Sequence, residues 1–208
     1  MADLKNLYQA VLDGDQNSAA TLTGQLLSDG ASPDIILNQG LIAAMNTIGE
    51  LFTKSEIYIP EMLIAARAMK SAMEILEPQL VKAGVKPVGK FVIGTVEGDM
   101  HDIGKNLVAM MMKGAGFEVI DLGVDVSREE FLEQARKTSP HLIGLSTLLT
   151  TSMPEMEDVV KAVRSAGLSV KVIIGGAPVT NDFAKKIGAD GYAPDAANAV
   201  IVAKSLLA

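Results

Sequence analysis

Two hydrophobic periods share this chain, and the point where one replaces the other decides what it can fold into. Up to about Val81, apolar residues recur at three- and four-residue spacing: Leu4, Leu7, Tyr8, Val11 and Leu12, then Ile35, Ile36, Leu41, Ile42, Met45 and Ile48, then Met62, Leu63, Ala66, Met69, Met73 and Leu76. That spacing lines one face of an α-helix with apolar side chains. Breaks at Gly14, at Asp29-Gly30 with Pro33, and at Pro60 divide the stretch into about four helices, a small bundle. Residues Lys82–Gly89, which carry Gly84, Pro87 and Gly89, read as a connection. Beyond it, short apolar runs alternate with amphipathic stretches. Phe91–Val96, Val119–Leu122, Leu142–Ser146 and Val170–Ile174 read as buried strands. Lys105–Lys113, Arg128–Thr138, Met153–Ala166, Asn181–Ile187 and Ala196–Leu207 read as helices, with Ser127 and Glu130 forming a capping box.

Strand–helix alternation of this kind predicts a doubly wound parallel sheet. The expected fold is α/β: an N-terminal four-helix cap bundle, then a Rossmann-like, flavodoxin-type, five-stranded parallel sheet. The expected division is a helical domain of residues 1–83, a linker of 84–90 and a second domain of 91–208. Such sheets bind ligands beyond the carboxyl ends of their strands, where the strand order reverses.

Composition narrows the chemistry. A formal net charge of -7 argues against a nucleic-acid or anionic-membrane partner, since either favours a basic face. No apolar run is expected to span a bilayer, and the first residues lack a signal-peptide pattern, so a soluble cytoplasmic protein is expected. The chain has no cysteine and only two histidines, His101 and His141. Disulfides, cysteine-held iron–sulfur clusters and a Cys/His zinc site are therefore excluded within it. His141, beside Pro140, reads as a solvated turn residue, and Met110-Met111-Met112 as one turn of a core-packing helix.

Directly after the first strand comes Glu97-Gly98-Asp99-Met100-His101-Asp102-Ile103-Gly104-Lys105. A strand-to-helix loop at the carboxyl edge is where a ligand sits. Asp99 is spaced so that its carboxylate can bond one ring nitrogen of His101, fixing the tautomer and leaving the other nitrogen for a metal. The plainer alternative is that Asp99 simply caps the following helix.

Further along stand Ser146-Thr147-Leu148 and Gly175-Gly176. Asp99-x-His101-x-x-Gly104, Ser146-x-Leu148 and Gly175-Gly176, in that order and spacing, resemble the fingerprint of the cobalamin-binding domains of methionine synthase and of corrinoid methyl-carrier proteins. The resemblance implies a cobalamin or related corrinoid cofactor, in its methylcobalamin form during part of a cycle with cob(I)alamin. It implies that His101 is the lower axial cobalt ligand, Asp99 its hydrogen-bond partner, and Ser152 the hydroxyl completing a His–Asp–Ser relay. Gly98, Met100, Asp102, Ile103 and Gly104 come with the same loop. Ser146 and Leu148 match residues lining the slot for the displaced nucleotide tail, with Thr150 nearby; Gly175 and Gly176 would let that tail pass close to the backbone. Tyr192 to Ala196 would close the slot. Gly49-Glu50-Leu51-Phe52 and Ile57-Tyr58-Ile59-Pro60-Glu61 resemble the cap bundle, with Phe52 and Ile59 on the positions that shield the methyl group; the plainer reading makes both ordinary bundle core. Thr151 departs from methionine synthase, which has proline there.

The same resemblance implies a carrier that is not a catalyst alone. It would be served by a substrate-specific methyltransferase, a second methyltransferase that passes the methyl to tetrahydrofolate or coenzyme M, and a reductive activator. Two other cobalamin roles share the fingerprint: a sensor or regulator, which usually adds a basic DNA-binding domain, and the small subunit of a mutase, which lacks this cap. A phosphoacceptor receiver has the same topology but needs an acidic pair and a late lysine that have no clear counterpart here.

Overall fold

The computed structural model describes residues 3–208. It divides into two compact units, one reaching Val88 and including Gly114–Gly116, the other comprising Gly89–Lys113 and Phe117–Ala208.

The first unit is helical. Helices α1 (Leu4–Leu12) and α2 (Gln16–Ser28) are capped by Asp3 and Asp15, whose carboxylates accept first-turn amides. Next, α3 (Pro33–Ile35), a π-helical stretch (Ile36–Ile42) and α4 (Ala43–Thr53) run on without a break. The π stretch was not foreseen, because a count of helical periods does not register a locally wider turn. It contains Gly40, where a Cβ would lie 2.9 Å from Leu7 Cδ2, so a bare backbone allows α1 to approach. By length and composition this 21-residue helix reaches what a membrane span needs, contrary to the expectation from sequence. Its Ile36, Leu41, Ile42, Met45 and Ile48 are nevertheless buried inside the unit, which is how a core helix behaves. The long α5 (Ile59–Ala83) starts with Pro60 in its first turn and stops at Gly84, in the left-handed region at φ 68°.

The second unit is a five-stranded, all-parallel sheet of order β2-β1-β3-β4-β5. Its strands are β1 (Lys90–Thr95), β2 (Glu118–Asp121), β3 (Leu142–Ser146), β4 (Lys171–Gly175) and β5 (Gly191–Ala193). The helices are α6 (Ile103–Gly114), α7 (Arg128–Thr138), α8 (Met153–Ser165), α9 (Asn181–Ile187) and α10 (Ala196–Leu207). Four strands and all five helices fall within two residues of expectation. The fifth strand, three residues long, is too short to leave a pattern. The central strands are apolar on both sides because helices cover both faces. Val92, Ile143, Leu145, Val172 and Ile174 build one core with Phe131 of α7 and Val159, Val160 and Val163 of α8. Ser127 caps α7 as foreseen: its Oγ accepts Glu130 N–H, and the Glu130 carboxylate accepts Ser127 N–H at 3.2 Å.

What this topology positions is the carboxyl edge between β1 and β3. From β1 the chain crosses to β2 on one side, and from β2 it returns to β3 on the other. The loops leaving β1 and β3 therefore part around a crevice, the ligand site of such sheets.

Residues Gly84, Lys86, Pro87 and Val88 are exposed and lie between regular elements. Brief digestion with proteinase K, read by mass spectrometry, should make its first cut within residues 84–89 and leave two persistent fragments. First cuts inside α5 or the sheet would contradict two separately compact units.

Candidate functional site

The β1–α6 loop carries Asp99 and His101, and its shape is set by backbone bonds. Asp99 N–H reaches back to Val96 O at 3.2 Å, and Thr95 Oγ1 donates to His101 O at 2.8 Å. The β2–α7 loop clamps it from the side, Asp125 Oδ1 accepting Gly98 N–H at 2.7 Å while Asp125 N–H donates to Asp99 O at 3.0 Å. Asp125 holds φ 54°, a left-handed conformation that aspartate tolerates better than most residues.

Asp99 is wholly buried, and its carboxylate accepts four bonds. Oδ1 takes His101 N–H at 3.0 Å and His101 Nδ1 at 2.7 Å. Oδ2 takes Leu148 N–H at 2.6 Å and the Thr147 hydroxyl at 2.7 Å. Burial alone pushes the carboxyl's pKa up. The amides of His101 and Leu148, with the side chains of Thr147 and His101, overcome that and hold it well below the usual carboxylate range. An ionised carboxylate only accepts, so the 2.7 Å contact places a proton on His101 Nδ1, and in the neutral ring the lone pair is then on Nε2. Asp99 is thus no helix cap, since its partners lie before α6 and on the β3–α8 loop.

The His101 side chain is 52% exposed, so the free nitrogen is reachable. Around it the same edge exposes Met100, Ile103, Leu148 and Leu149, large apolar side chains that a soluble unit ordinarily hides. A metal-bearing, largely apolar macrocycle fits this combination: one available imidazole nitrogen amid uncovered apolar surface. Asp102 and Gly104 are also exposed, Asp102 accepting the Asn106 side-chain amide at 3.0 Å.

Several expected residues gather here and others do not. Ser152 is buried, but its hydroxyl meets Thr147 Oγ1 at 2.6 Å and Leu149 O at 3.2 Å, not Asp99 itself. Thr150 is exposed, and Ser146 is partly buried at the end of β3. The glycine pair is required by the protein's own backbone as well. A Cβ on Gly176, at φ 130°, would stand 1.8 Å from Thr147 O, and one on Gly175 2.8 Å from Ala193 O. Both glycines make room for the protein's own chain, joining the ends of β3, β4 and β5. Ala196 is buried in the first turn of α10, whose N-terminus Asp195 caps. In the helical unit, Phe52 is partly exposed and Ile59 is 42% exposed, so neither belongs to the bundle core.

Two features escaped the sequence. Thr147 occupies the unspecified middle of Ser-x-Leu. Lys105, only 2% exposed, bonds both oxygens of Asp121 at 2.7 and 2.6 Å and so ties the start of α6 to the end of β2. A lysine in the first turn after a ligand loop, with an aspartate ending the next strand, was the available sign. His141 is also more than a solvated turn residue, its Nδ1 accepting Lys90 N–H at 3.0 Å.

Comparison with known proteins agrees with this geometry. Residues 3–77 and 89–201 each match a family model described as a B12 binding domain. The chain belongs to the B12-binding family, with both parts present in one polypeptide. Within it, the chain is 41% identical to dimethylamine corrinoid protein 3 of Methanosarcina acetivorans, over the full length of both. It is 40% identical to trimethylamine corrinoid protein 1 of the same organism, over 95% of this chain and 94% of that one. Among solved structures, a cobalamin-binding protein from Desulfitobacterium hafniense superposes with a TM-score of 0.83 at 31% identity, covering 99% of both chains. A methanol:cobalamin methyltransferase complex from Methanosarcina barkeri gives 0.87 at 27% identity, covering 98% of this chain and 79% of that one.

The lowered pKa of Asp99 has a consequence for folding. Its stabilising contribution is complete above the unfolded carboxyl's 3.8 and is lost as pH falls below that value toward the folded one. Urea unfolding across acid pH should show stability dropping over that window, and Asp99→Asn should flatten this part of the profile. It should also cost on the order of 1–3 kcal/mol at neutral pH, because four donors lose an ionised acceptor. An unchanged acid limb in the variant would contradict the assignment.

Proposed function

We propose that this protein is a corrinoid methyl carrier, and that His101 would be the residue that ligates its cobalt. The observation that carries the reading is the Asp99–His101 pair, which leaves Nε2 available on an apolar edge at the β1/β3 crevice. The bound corrinoid supplies a cobalt centre able to take up and give away a methyl group. The chain's own residues bind, orient and shield it. Asp99 holds the ring in one tautomer and orientation. Ser152 belongs to the same hydrogen-bonded group. Met100, Ile103 and Leu148 supply apolar contact, with Gly98, Asp102 and Gly104 shaping the loop. Ser146, Thr150 and Ala196 lie on loops or ends at the same edge and are assigned to the slot for the nucleotide tail, alongside Gly175 and Gly176. Phe52 and Ile59 offer apolar surface that the bundle core does not use, which supports their assignment as the shield of the methyl group. Residues 1–83 are the cap, 84–90 the linker and 91–208 the cofactor-binding domain.

A carrier needs other proteins to load and unload it. With no cysteine and two histidines, the chain lacks the ligands of a thiol-activating zinc site. We assign that work to partners: a substrate-specific methyltransferase, a second methyltransferase delivering to tetrahydrofolate or coenzyme M, and a reductive activator that restores the reduced cobalt. The likeness to the methanol:cobalamin methyltransferase complex supports the first of these. We place the protein in the cytoplasm with these partners. The donor is selected by the partner, as relatives bearing the names of dimethylamine and trimethylamine share this scaffold.

Methylcobalamin added to the purified chain should take on the absorption spectrum of a histidine-ligated form, and His101→Ala should remove that change. Identical spectra for the two proteins would defeat the ligand assignment.

A further inference from the structure

Thr147 is the one member of the buried polar group that neither the motif nor the proposed mechanism uses. It is 2% exposed, and its hydroxyl stands between Asp99 Oδ2, at 2.7 Å, and Ser152 Oγ, at 2.6 Å. The Thr147 hydroxyl donates to Asp99 Oδ2, which uses its single proton. Thr147 Oγ1 then accepts in its contact with Ser152, at 2.6 Å the shorter of the two contacts open to the Ser152 proton, the other being Leu149 O at 3.2 Å. Donation thus runs from Ser152 to Thr147 to Asp99, where it meets the Nδ1–H that His101 donates from the other side. Its second lone pair takes Leu149 N–H at 3.3 Å, so the hydroxyl is fully committed.

The backbone of Thr147 is held equally firmly. Its N–H donates to Gly175 O at 3.3 Å, and its carbonyl fills the space a side chain at Gly176 would need. The end of β4 thereby sets where the Thr147 hydroxyl sits, and that hydroxyl sets one side of the carboxylate. From this geometry we infer that Thr147 is a positioning residue through which Ser152 acts on Asp99, and so on the orientation of His101. The inference rests on the reading of His101 as the cobalt ligand.

The test is a double-mutant cycle on the full chain. Thr147→Val keeps the shape and removes the hydroxyl, and Thr147→Ser restores it; each is made alone and combined with Ser152→Ala. Two signals are read: the histidine-ligated fraction in the absorption spectrum after adding methylcobalamin, and the ¹⁵N shifts of the His101 ring in the cofactor-free chain. Thr147→Val should reduce the ligated-to-unligated ratio roughly ten-fold, the scale of one hydrogen bond to a charged group, and Thr147→Ser should rescue it. Ser152→Ala should alter both signals in the parent chain and add nothing once the Thr147 hydroxyl is gone. Equal effects of Ser152→Ala with and without that hydroxyl would overturn the inference, as would a parent-like Thr147→Val. If Thr147→Val does not fold, the Thr147 hydroxyl proton of the parent chain is compared with that of Ser152→Ala by NMR. It should shift together with the His101 ring, and a ring shift without a hydroxyl shift would overturn the inference. His101→Ala run alongside separates the two claims: no spectral change there removes the ligand reading, while a change with additive Thr147 and Ser152 effects removes only the inference about Thr147.

Discussion

A carboxylate taken fully out of water must be met by donors, and the site depends on how Asp99 is met. Two donors come from its own loop, both of them from His101, and two from the loop after β3. Each bond to an ionised acceptor contributes on the order of 1.5–3 kcal/mol. Together they secure the charge against burial and join two loops that the strand order would otherwise send apart. The same act orients His101. One buried charge therefore closes the edge of the sheet and prepares the nitrogen that faces outward.

The other contacts at this edge support that arrangement. Asp125 grips the backbone on either side of Asp99, and Lys105 pairs with Asp121 beneath the loop. Gly176 gives up its side chain to the carbonyl of Thr147. Polar groups here are buried only where partners are in place, while the apolar side chains of Met100, Ile103, Leu148 and Leu149 stay uncovered. Uncovered apolar surface beside buried, fully partnered polar groups is what a large apolar ligand requires.

Much of this was legible in the sequence. The change of hydrophobic period located the division between helices and sheet, and capping residues such as Ser127 fixed helix starts to the residue. Asp99 and His101 alone left a plain helix cap open, and it was the resemblance carried jointly with Ser146-x-Leu148 and Gly175-Gly176 that singled them out. What escaped has a common cause. Thr147 matters through contacts with residues 48 positions earlier and five later, and Lys105 through one 16 positions later. Such pairings depend on strand register, which a local pattern does not encode. The glycine pair was seen, but this backbone constraint on it was not, since only the folded chain reveals that Thr147 lies where a Cβ would stand. The π-helical turn at Ile36–Ile42 was hidden because it keeps the apolar residues on a buried face while changing the bonds beneath them.

The central claim, that the outward nitrogen of His101 bonds cobalt, can be read directly from the metal. The chain is produced with ¹⁵N-labelled histidine, loaded with unlabelled corrinoid reduced to cobalt(II), and examined by electron paramagnetic resonance. The account predicts that the nitrogen splitting on the cobalt lines changes from triplets to doublets on labelling, because the coupled nitrogen comes from the protein. Triplets that persist in the labelled protein would place a cofactor nitrogen on the metal and contradict the claim.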